Sequence, residues 1–257
     1  MNSFFQLGHL HIPIFGIFAA VGLMAALTLS QRTARYAGLA PEAVWNAGMT
    51  AIVCAFVISR LLLIVFNLHS FLQYPLLVLA LPSLTSTGIF LTALFMFGYI
   101  RWRKLPLLPL LDAAAPCAAI FWTFLSLGRY FEGTRDGMPA HYWSSAGNPG
   151  PTTPEPVEIY TALAAFFVFL RLLRLLKKQH ARPQAPAGSV TAIALIISGF
   201  LIFVLDFFHL PSDLLPNAPL DPSQIIGLAM ILVGAPLLLR AAAQVKRESG
   251  TEPPHAI

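Results

Sequence analysis

The chain has 257 residues, of which 57% are hydrophobic and only 11% are charged, and its mean hydropathy is +0.72. This composition excludes a water-soluble globular domain, which would have to expose a very large apolar surface, and predicts an integral membrane protein. The formal net charge is +5. That excess does not call for a nucleic-acid partner, because basic residues beside membrane helices face anionic lipid headgroups.

Seven apolar blocks follow one another along the chain. Each is close to the roughly 20 residues that a helix needs to cross the hydrocarbon core. The alternation of polar and apolar residues that is typical of transmembrane strands does not occur. The sequence therefore predicts an all-α polytopic membrane protein with seven transmembrane helices. The predicted helices are Ile12 to Ser30, Ala43 to Leu68, Leu76 to Ile100, Leu107 to Gly128, Val157 to Leu176, Val190 to Phe208 and Ser223 to Leu239.

The basic residues predict the orientation of the chain. Thirteen of the 16 close or follow the first, third, fifth and seventh blocks, and the alternate loops hold almost none. The positive-inside rule then places the N-terminus outside and the C-terminus in the cytoplasm. The leading residues 1–11 carry no Lys or Arg, so the first block is expected to remain as a helix and not to act as a cleavable signal. We expect a transmembrane domain over residues 1–245, with an external loop at about 129–156, and a flexible cytoplasmic tail over 246–257.

Polar residues gather at one predicted depth, the outer third of the membrane, whereas the inner third holds only Asp112. Ionisable groups at such a depth are costly when unpaired, so we expect them to turn inward and meet one another or a polar ligand. Two structural ion pairs, Arg60 with Asp206 and Arg129 with Glu158, are the simpler alternative. Cys54 and Cys117 lie inside apolar blocks and are expected to be buried thiols. The outer polar residues are Arg60, Arg129, Glu158, Tyr160, Asp206, His209 and Gln224.

Several segments, in the right order along nearly the whole chain, carry a family resemblance. The run LDAAAPCAAIFWTFLSLGR, residues 111–129, resembles an Asp-x-x-x-Pro run that ends in Gly-Arg. PVEIYTAL, residues 156–163, and DFFHLPSD, residues 206–213, resemble two further elements. With PIFGIF, SRLLLIVFN, RWRKLP and SQIIGLAMILVG, these segments are similar to the prolipoprotein diacylglyceryl transferases, and the chain resembles a divergent member of that family.

The resemblance implies a reaction in the bacterial inner membrane. A diacylglyceryl group passes from phosphatidylglycerol to the thiol of a lipobox cysteine in a prolipoprotein signal peptide, and no cofactor or metal takes part. Arginine suits the departing phosphate because its planar guanidinium group can donate two parallel hydrogen bonds to the phosphate oxygens. The resemblance therefore implies a catalytic role for Arg129, with Arg60 behind it, and Glu132 stands in for an acid of the family pattern. His209 is the candidate catalytic base, oriented by Asp206 or Glu158, because an imidazole titrates near neutral pH. The residues expected to bind lipid or substrate are Glu158, Tyr160, Asp206, Gln224, Ser86, Thr87 and Gly88.

The sequence also departs from the family pattern. Ser86, Thr87 and Gly88 stand where the family has His-Gly-Gly, and Glu158 stands where it has glutamine. In the sixth block, isoleucine and histidine at positions 202 and 209 replace two arginines. A relative that binds a phospholipid headgroup without transfer is one alternative function, and a small-solute transporter is another. A transporter is less favoured, because we find no internal repeat and the polar residues lie toward one side.

Overall fold

A computed structural model describes residues 4–7, 10–67, 86–133, 156–181, 186–209 and 220–249. Within these residues the chain forms seven helices and one two-stranded hairpin. The strands are β1 (Phe4–Leu7) and β2 (Leu10–Pro13). The helices are α1 (Ile14–Tyr36), α2 (Pro41–Phe66), α3 (Ser86–Trp102), α4 (Leu107–Glu132), α5 (Val157–His180), α6 (Ser189–Asp206) and α7 (Pro222–Ser249).

Six of the described helices are long and apolar enough to cross a membrane. The helix α3 is apolar but has only 17 residues, which span about 26 Å at 1.5 Å per residue. The predicted third block begins ten residues earlier, in a part of the chain that lies outside the described residues. The prediction of a multi-pass helical membrane protein is therefore confirmed, and the count of seven crossings stays a prediction.

The N-terminal hairpin was not predicted, and the first helix was expected to begin at Ile12. In the structure Ile12 pairs with Phe5 in an antiparallel ladder, and the helix begins only after Pro13. Proline has no N–H for the ladder, and its fixed φ suits the residue that leads into a helix. The backbone of Pro13, at φ −65° and ψ 131°, is extended and forms that boundary.

The helices alternate in direction along the bundle. At one end, Phe18 near the start of α1 stacks on Phe131 at the end of α4, with ring centroids 5.2 Å apart. At the other end, Tyr36 of α1 meets His180 of α5 edge to face. Basic residues occupy the last turns of α1, α3 and α5 at this second end, which we call the basic end. They are Arg35, Arg101, Lys177 and Lys178.

The bundle is held along a chain of helix neighbours. The helix α4 packs against α1 and α5, α6 packs most extensively against α7, and α2 packs against α1 and α3. A cluster of buried residues joins α4, α5 and α6 through Ala119, Leu172 and Val190. This order places α4, α5, α6 and α7 on one side and the α2–α3 pair on the other.

A buried carboxylate fixes the start of α6. Asp112 of α4 is 1% exposed and accepts hydrogen bonds from the backbone N–H groups of Gly188 and Thr191, at 2.6 and 2.7 Å. It also accepts from the Thr191 hydroxyl at 2.6 Å and the Gln179 amide at 3.4 Å. Helix N-termini leave N–H groups without partners, and a carboxylate satisfies them and complements the helix dipole. The predicted inner polar residue is thus a cap that ties three helices together.

Candidate functional site

A cavity of about 460 Å³ lies among α4, α5, α6 and α7, at the end of the bundle opposite the basic end. Four helix ends meet there because the helices alternate in direction. The last turns of α4 and α6 and the first turns of α5 and α7 each contribute side chains. The lining is Trp122, Arg129, Glu158, Thr161, Ile202, Leu205, Asp206, His209, Asp221 and Ser223.

Arg129 lies in the last turn of α4, where the helix ends in a left-handed glycine. Gly133 has φ +83°, and its N–H donates to the carbonyl oxygens of Arg129 and Tyr130. A positive φ is easy for glycine and costly for most other residues, so the chain stops the helix at this residue. The arginine side chain consequently projects from a fixed turn, and 53% of it is exposed.

Arg129 and Glu158 form an ion pair across α4 and α5. Nη1 of the arginine is 3.6 Å from Oε1 of the glutamate, and the glutamate side chain is 8% exposed. The pair is one of the two that the simpler alternative predicted. Because the arginine is half exposed, solvent screens the pair, and such pairs contribute about 0–1 kcal/mol to stability. The pair therefore contributes little to stability, and it holds the guanidinium beside a buried carboxylate.

His209 follows α6 by three residues, and its ring is oriented by the backbone. Nδ1 is 3.1 Å from the carbonyl oxygen of Leu205. A carbonyl oxygen can only accept a hydrogen bond, so Nδ1 must carry the proton in this contact. In the neutral ring, Nε2 then holds the lone pair. The sequence predicted that Asp206 or Glu158 would orient this ring, whereas the hydrogen bond on Nδ1 goes to a main-chain oxygen.

Asp206 ends α6 and contributes a second acidic group to the cavity. Its Oδ2 atom is buried and has no hydrogen-bond partner among the described residues. The predicted Arg60–Asp206 ion pair is not found in the described part of the chain. Arg60 lies on α2, which packs against α1 and α3, and it does not line the cavity.

Gln224 has a structural partner at the start of α7. Its Oε1 accepts a hydrogen bond from the backbone N–H of Asp221 at 3.3 Å. The helix begins at Pro222, so Asp221 and Gln224 occupy the two positions of a capping box. Gln224 is 7% exposed and does not line the cavity, although the sequence placed it among the substrate-binding residues.

The structure thus brings together four of the predicted site residues and leaves the others elsewhere. Glu132 is the last residue of α4, beyond the cavity lining, and the Tyr160 side chain is 42% exposed on α5. Ser86 begins α3, Thr87 is exposed, and the Gly88 carbonyl accepts from Thr92 at 2.7 Å. The four that share the cavity are Arg129, Glu158, Asp206 and His209.

Sequence reasoning missed six lining residues, five of which had a usable signal. Trp122 lies seven residues before Arg129, Thr161 lies three after Glu158, and Ile202 lies four before Asp206. These spacings put each residue on the same helix face as the predicted one. Leu205, four residues before His209, and Asp221, three before Gln224, have spacings of the same kind, so only Ser223 has no such signal.

The fold and cavity define the class: a multi-pass helical membrane protein with a polar cavity where four helix ends meet. A sequence model described as prolipoprotein diacylglyceryl transferase matches residues 2–240. The chain belongs to this family, and it is a transferase of lipoprotein biosynthesis. The family resemblance and the expectation of an enzyme are both confirmed.

Three similar proteins are named phosphatidylglycerol–prolipoprotein diacylglyceryl transferase. The protein of Geobacter sulfurreducens is 27% identical over 242 residues, which cover 90% of this chain and 91% of the relative. That of Clostridium tetani is 23% identical over 239 residues, covering 90% and 93%. That of Thermosynechococcus vestitus is 26% identical over 257 residues, covering 94% and 92%. The similarity is therefore low in identity but extends over almost the whole chain.

Proposed function

We propose that the chain transfers a diacylglyceryl group from phosphatidylglycerol to the cysteine thiol of a prolipoprotein lipobox, at the outer face of the bacterial inner membrane. The observation that carries this proposal is the cavity itself. It joins a half-exposed guanidinium, Arg129, to an imidazole, His209, at one end of the helix bundle. A departing phosphate needs a cation and an attacking thiol needs a base, and both are present there.

The proposed step is a substitution at carbon. The cysteine sulfur attacks the glyceryl carbon that carries the phosphate, so a C–S bond forms as the C–O bond breaks. Glycerol phosphate leaves with the electron pair of that bond. A thiol with an ordinary pKa of about 8.5 attacks only after it loses its proton. In this proposal that proton passes to Nε2 of His209.

Arg129 stabilises the leaving group in this scheme. A guanidinium has five N–H donors in a planar fork, and the contact with Glu158 runs through Nη1. Negative charge grows on the phosphate oxygen as the C–O bond breaks, and donors already in place are worth most at that moment. Arg60 and Glu132 remain proposed contributors from outside the cavity lining.

The proposal includes seven crossings of the membrane by the chain, with the Arg129 cavity at the outer face of the membrane. The helix α3 belongs to the third crossing, and the preceding residues of the predicted block, 76–85, lie outside the described residues. The basic end then faces the cytoplasm, in agreement with the positive-inside rule. An external cavity suits a prolipoprotein acceptor whose cysteine arrives at the outer leaflet.

Replacing Arg129 tests the proposal. Purified chain is assayed with phosphatidylglycerol and a lipobox peptide, and in parallel by rescue of cells depleted of the diacylglyceryl transferase. We expect Arg129→Ala to reduce the rate of transfer by roughly ten- to a hundred-fold. This is the loss expected when one hydrogen bond to a charged group is removed. Arg129→Lys should recover only part of it, because lysine keeps the charge but not the fork.

The matched control is Arg171→Ala, an exposed arginine of α5 that is not among the residues lining the cavity. His209→Ala is assayed beside it and should lower transfer without loss of the folded bundle. Full activity of Arg129→Ala would refute the role of the guanidinium. An inactive parent chain that still binds phosphatidylglycerol would favour lipid binding without transfer.

A further inference from the structure

A second cavity, of about 350 Å³, lies among α1, α2, α3 and α4 and shares no residue with the candidate site. We call it the inner groove because it lies toward the basic end. Leu110 in the first turn of α4 and Ile100 in the last turn of α3 both line it, beside the cluster that closes that end. The groove is therefore set in the opposite half of the bundle from Arg129.

The lining of the inner groove is apolar. Its two polar groups, the Ser30 hydroxyl and the Cys117 thiol, already have partners in the protein. Ser30 Oγ donates to the Leu27 carbonyl at 2.6 Å, and Cys117 Sγ donates to the Ala113 carbonyl at 3.5 Å. An apolar cavity whose polar groups are satisfied does not hold ordered water and takes an apolar ligand.

The groove exists because one face of a central helix is uncovered. The helix α4 packs against α1 and α5, yet Leu111, Ala114 and Ala118 are all exposed. Their spacing of three and four residues puts them on one face. The lining contributed by α2 includes two small residues, Ala47 and Gly48.

We propose that the inner groove binds one acyl chain of an anionic phospholipid from the cytoplasmic leaflet. The chain lies along Leu111, Ala114 and Ala118, and the headgroup lies beside the exposed residues Arg101 and Arg103. An acyl chain is the apolar ligand that the bilayer itself supplies to an open lateral groove. This proposal rests on the proposed orientation of the bundle but not on the proposed reaction.

The charge at the mouth of the groove selects the headgroup. Ile100 lines the groove, and the exposed residues Arg101, Arg103 and Lys104 follow it. The Arg103 guanidinium lies 5.9 Å from the ring centre of Tyr99 and 6.0 Å from that of Trp102. Aromatic and basic residues together are typical of the membrane interface, and clustered basic residues attract anionic headgroups.

Photolabelling tests the proposal. The full chain is reconstituted in nanodiscs with phosphatidylglycerol whose acyl chain carries a diazirine, irradiated, and analysed by peptide mass spectrometry. We expect adducts on the α1 and α4 residues of the groove. Ala118→Phe and, separately, Ala114→Phe extend into the open groove and should each reduce those adducts several-fold. The matched control Val57→Phe, at an exposed position of α2 that is not among the lining residues, should leave them unchanged.

Competition on the parent chain needs no variant and so separates binding from misfolding. Unlabelled phosphatidylglycerol should displace the probe from the groove more effectively than unlabelled phosphatidylcholine. In a separate experiment, the double variant Arg101→Gln with Arg103→Gln should lose that preference. Equal displacement by the two lipids would overturn the anionic assignment. Adducts spread evenly over lipid-facing residues would overturn the site, as would adducts on those residues with none on the α1 and α4 residues of the groove.

Discussion

At the scale of single residues, the Glu158 carboxylate and the lipid phosphate of the proposed reaction compete for Arg129. Its carboxylate holds Arg129 at 3.6 Å and is itself buried. A lipid phosphate would need the same guanidinium, so the glutamate acts as a built-in rival anion. The family resemblance puts a neutral glutamine at this position, which would not compete by charge.

Glu158→Gln is therefore expected to raise activity. The substitution removes the rival charge but keeps the size and an oxygen acceptor, so the affinity for phosphatidylglycerol should increase, seen as a KM several-fold lower. The comparison variant is Glu42→Gln, in the first turn of α2 at the basic end, which should leave KM unchanged. A higher KM for Glu158→Gln would mean that the carboxylate positions the arginine productively instead of competing for it.

Ile202 is the position where a substitution can add a positive charge to the cavity. It lines the cavity four residues before Asp206, whose Oδ2 is buried without a partner among the described residues. The resemblance implies an arginine at this position. An arginine there would reach the carboxylate on the same helix face and bring a second cation to the phosphate.

Ile202→Arg is expected to strengthen binding of phosphatidylglycerol and to increase transfer in the peptide assay. Ile202→Met, which alters the side chain without adding charge, is the control and should have little effect. If Ile202→Arg lowers transfer while the protein remains folded, the cavity accepts a ligand of different charge from the one proposed.

The sequence indicates how deep a polar residue lies in the membrane, and this depth decided which site residues could be predicted. The distance of a residue from the end of its apolar block gave the level of Arg60 and Arg129 in the membrane, but not their position around the bundle axis. Only packing settles that position, and packing puts α4 beside α5 and α2 beside α3. Depth therefore grouped Arg129, Glu158, Asp206 and His209 correctly. Tyr160 has the same predicted depth but is exposed on α5, and Arg60 lies on a helix elsewhere in the bundle.

At the scale of whole elements, the starts of α2, α4, α5, α6 and α7 lie within two residues of the predicted ones, whereas α1 and α7 run six and ten residues beyond their predicted ends. Hydrophobicity marks the apolar part of a helix and not the polar turns that continue it. The cap at the start of α6 is different. It is Asp112, 76 residues before Gly188 along the chain. No local pattern reveals a cap supplied by another helix. In sequence Asp112 was only an inner polar residue, and its hydrogen bonds to α5 and α6 emerge from the tertiary fold alone.

The pairing of α6 with α7 rests on glycines. A methyl group on Gly199 would lie 2.5 Å from the carbonyl oxygen of Gly227, and one on Gly227 would lie 2.6 Å from that of Gly199. Small residues let membrane helices approach closely, because backbone packing replaces the hydrophobic effect in lipid. The two helices together carry half of the cavity wall, so their separation fixes its width.

Gly199→Ala and Gly227→Ala should each lower thermal stability in detergent, by about 1–3 kcal/mol as is usual for overpacking. The control is Gly98→Ala on α3, where nothing lies within 4 Å of the added methyl group. Alanine favours a helix by up to about 1 kcal/mol over glycine, so this variant should be neutral or more stable. Equal melting temperatures for the three variants would contradict the close approach of α6 and α7.

At the scale of the whole molecule, the position of the basic residues is the strongest link between sequence and structure. The sequence segregated them by alternate loops, and the structure places the last turns of α1, α3 and α5 at the same end. Alternating helix directions explain both facts. The side of the membrane that each end faces stays a prediction, because charge asymmetry gives it only by rule.

Topology reporters test that prediction. We expect green fluorescent protein fused after Ser249 to fluoresce and alkaline phosphatase fused there to be inactive, because the basic end faces the cytoplasm. Alkaline phosphatase fused after Gly133, beyond the end of α4, should be active, and the same enzyme fused after Lys104, between α3 and α4, should be inactive. The Gly133 and Lys104 fusions share every residue up to α4, so they differ by one crossing. Activity at Ser249 with none at Gly133 would invert the bundle and place the Arg129 cavity at the cytoplasmic face, where an external acceptor thiol cannot reach it.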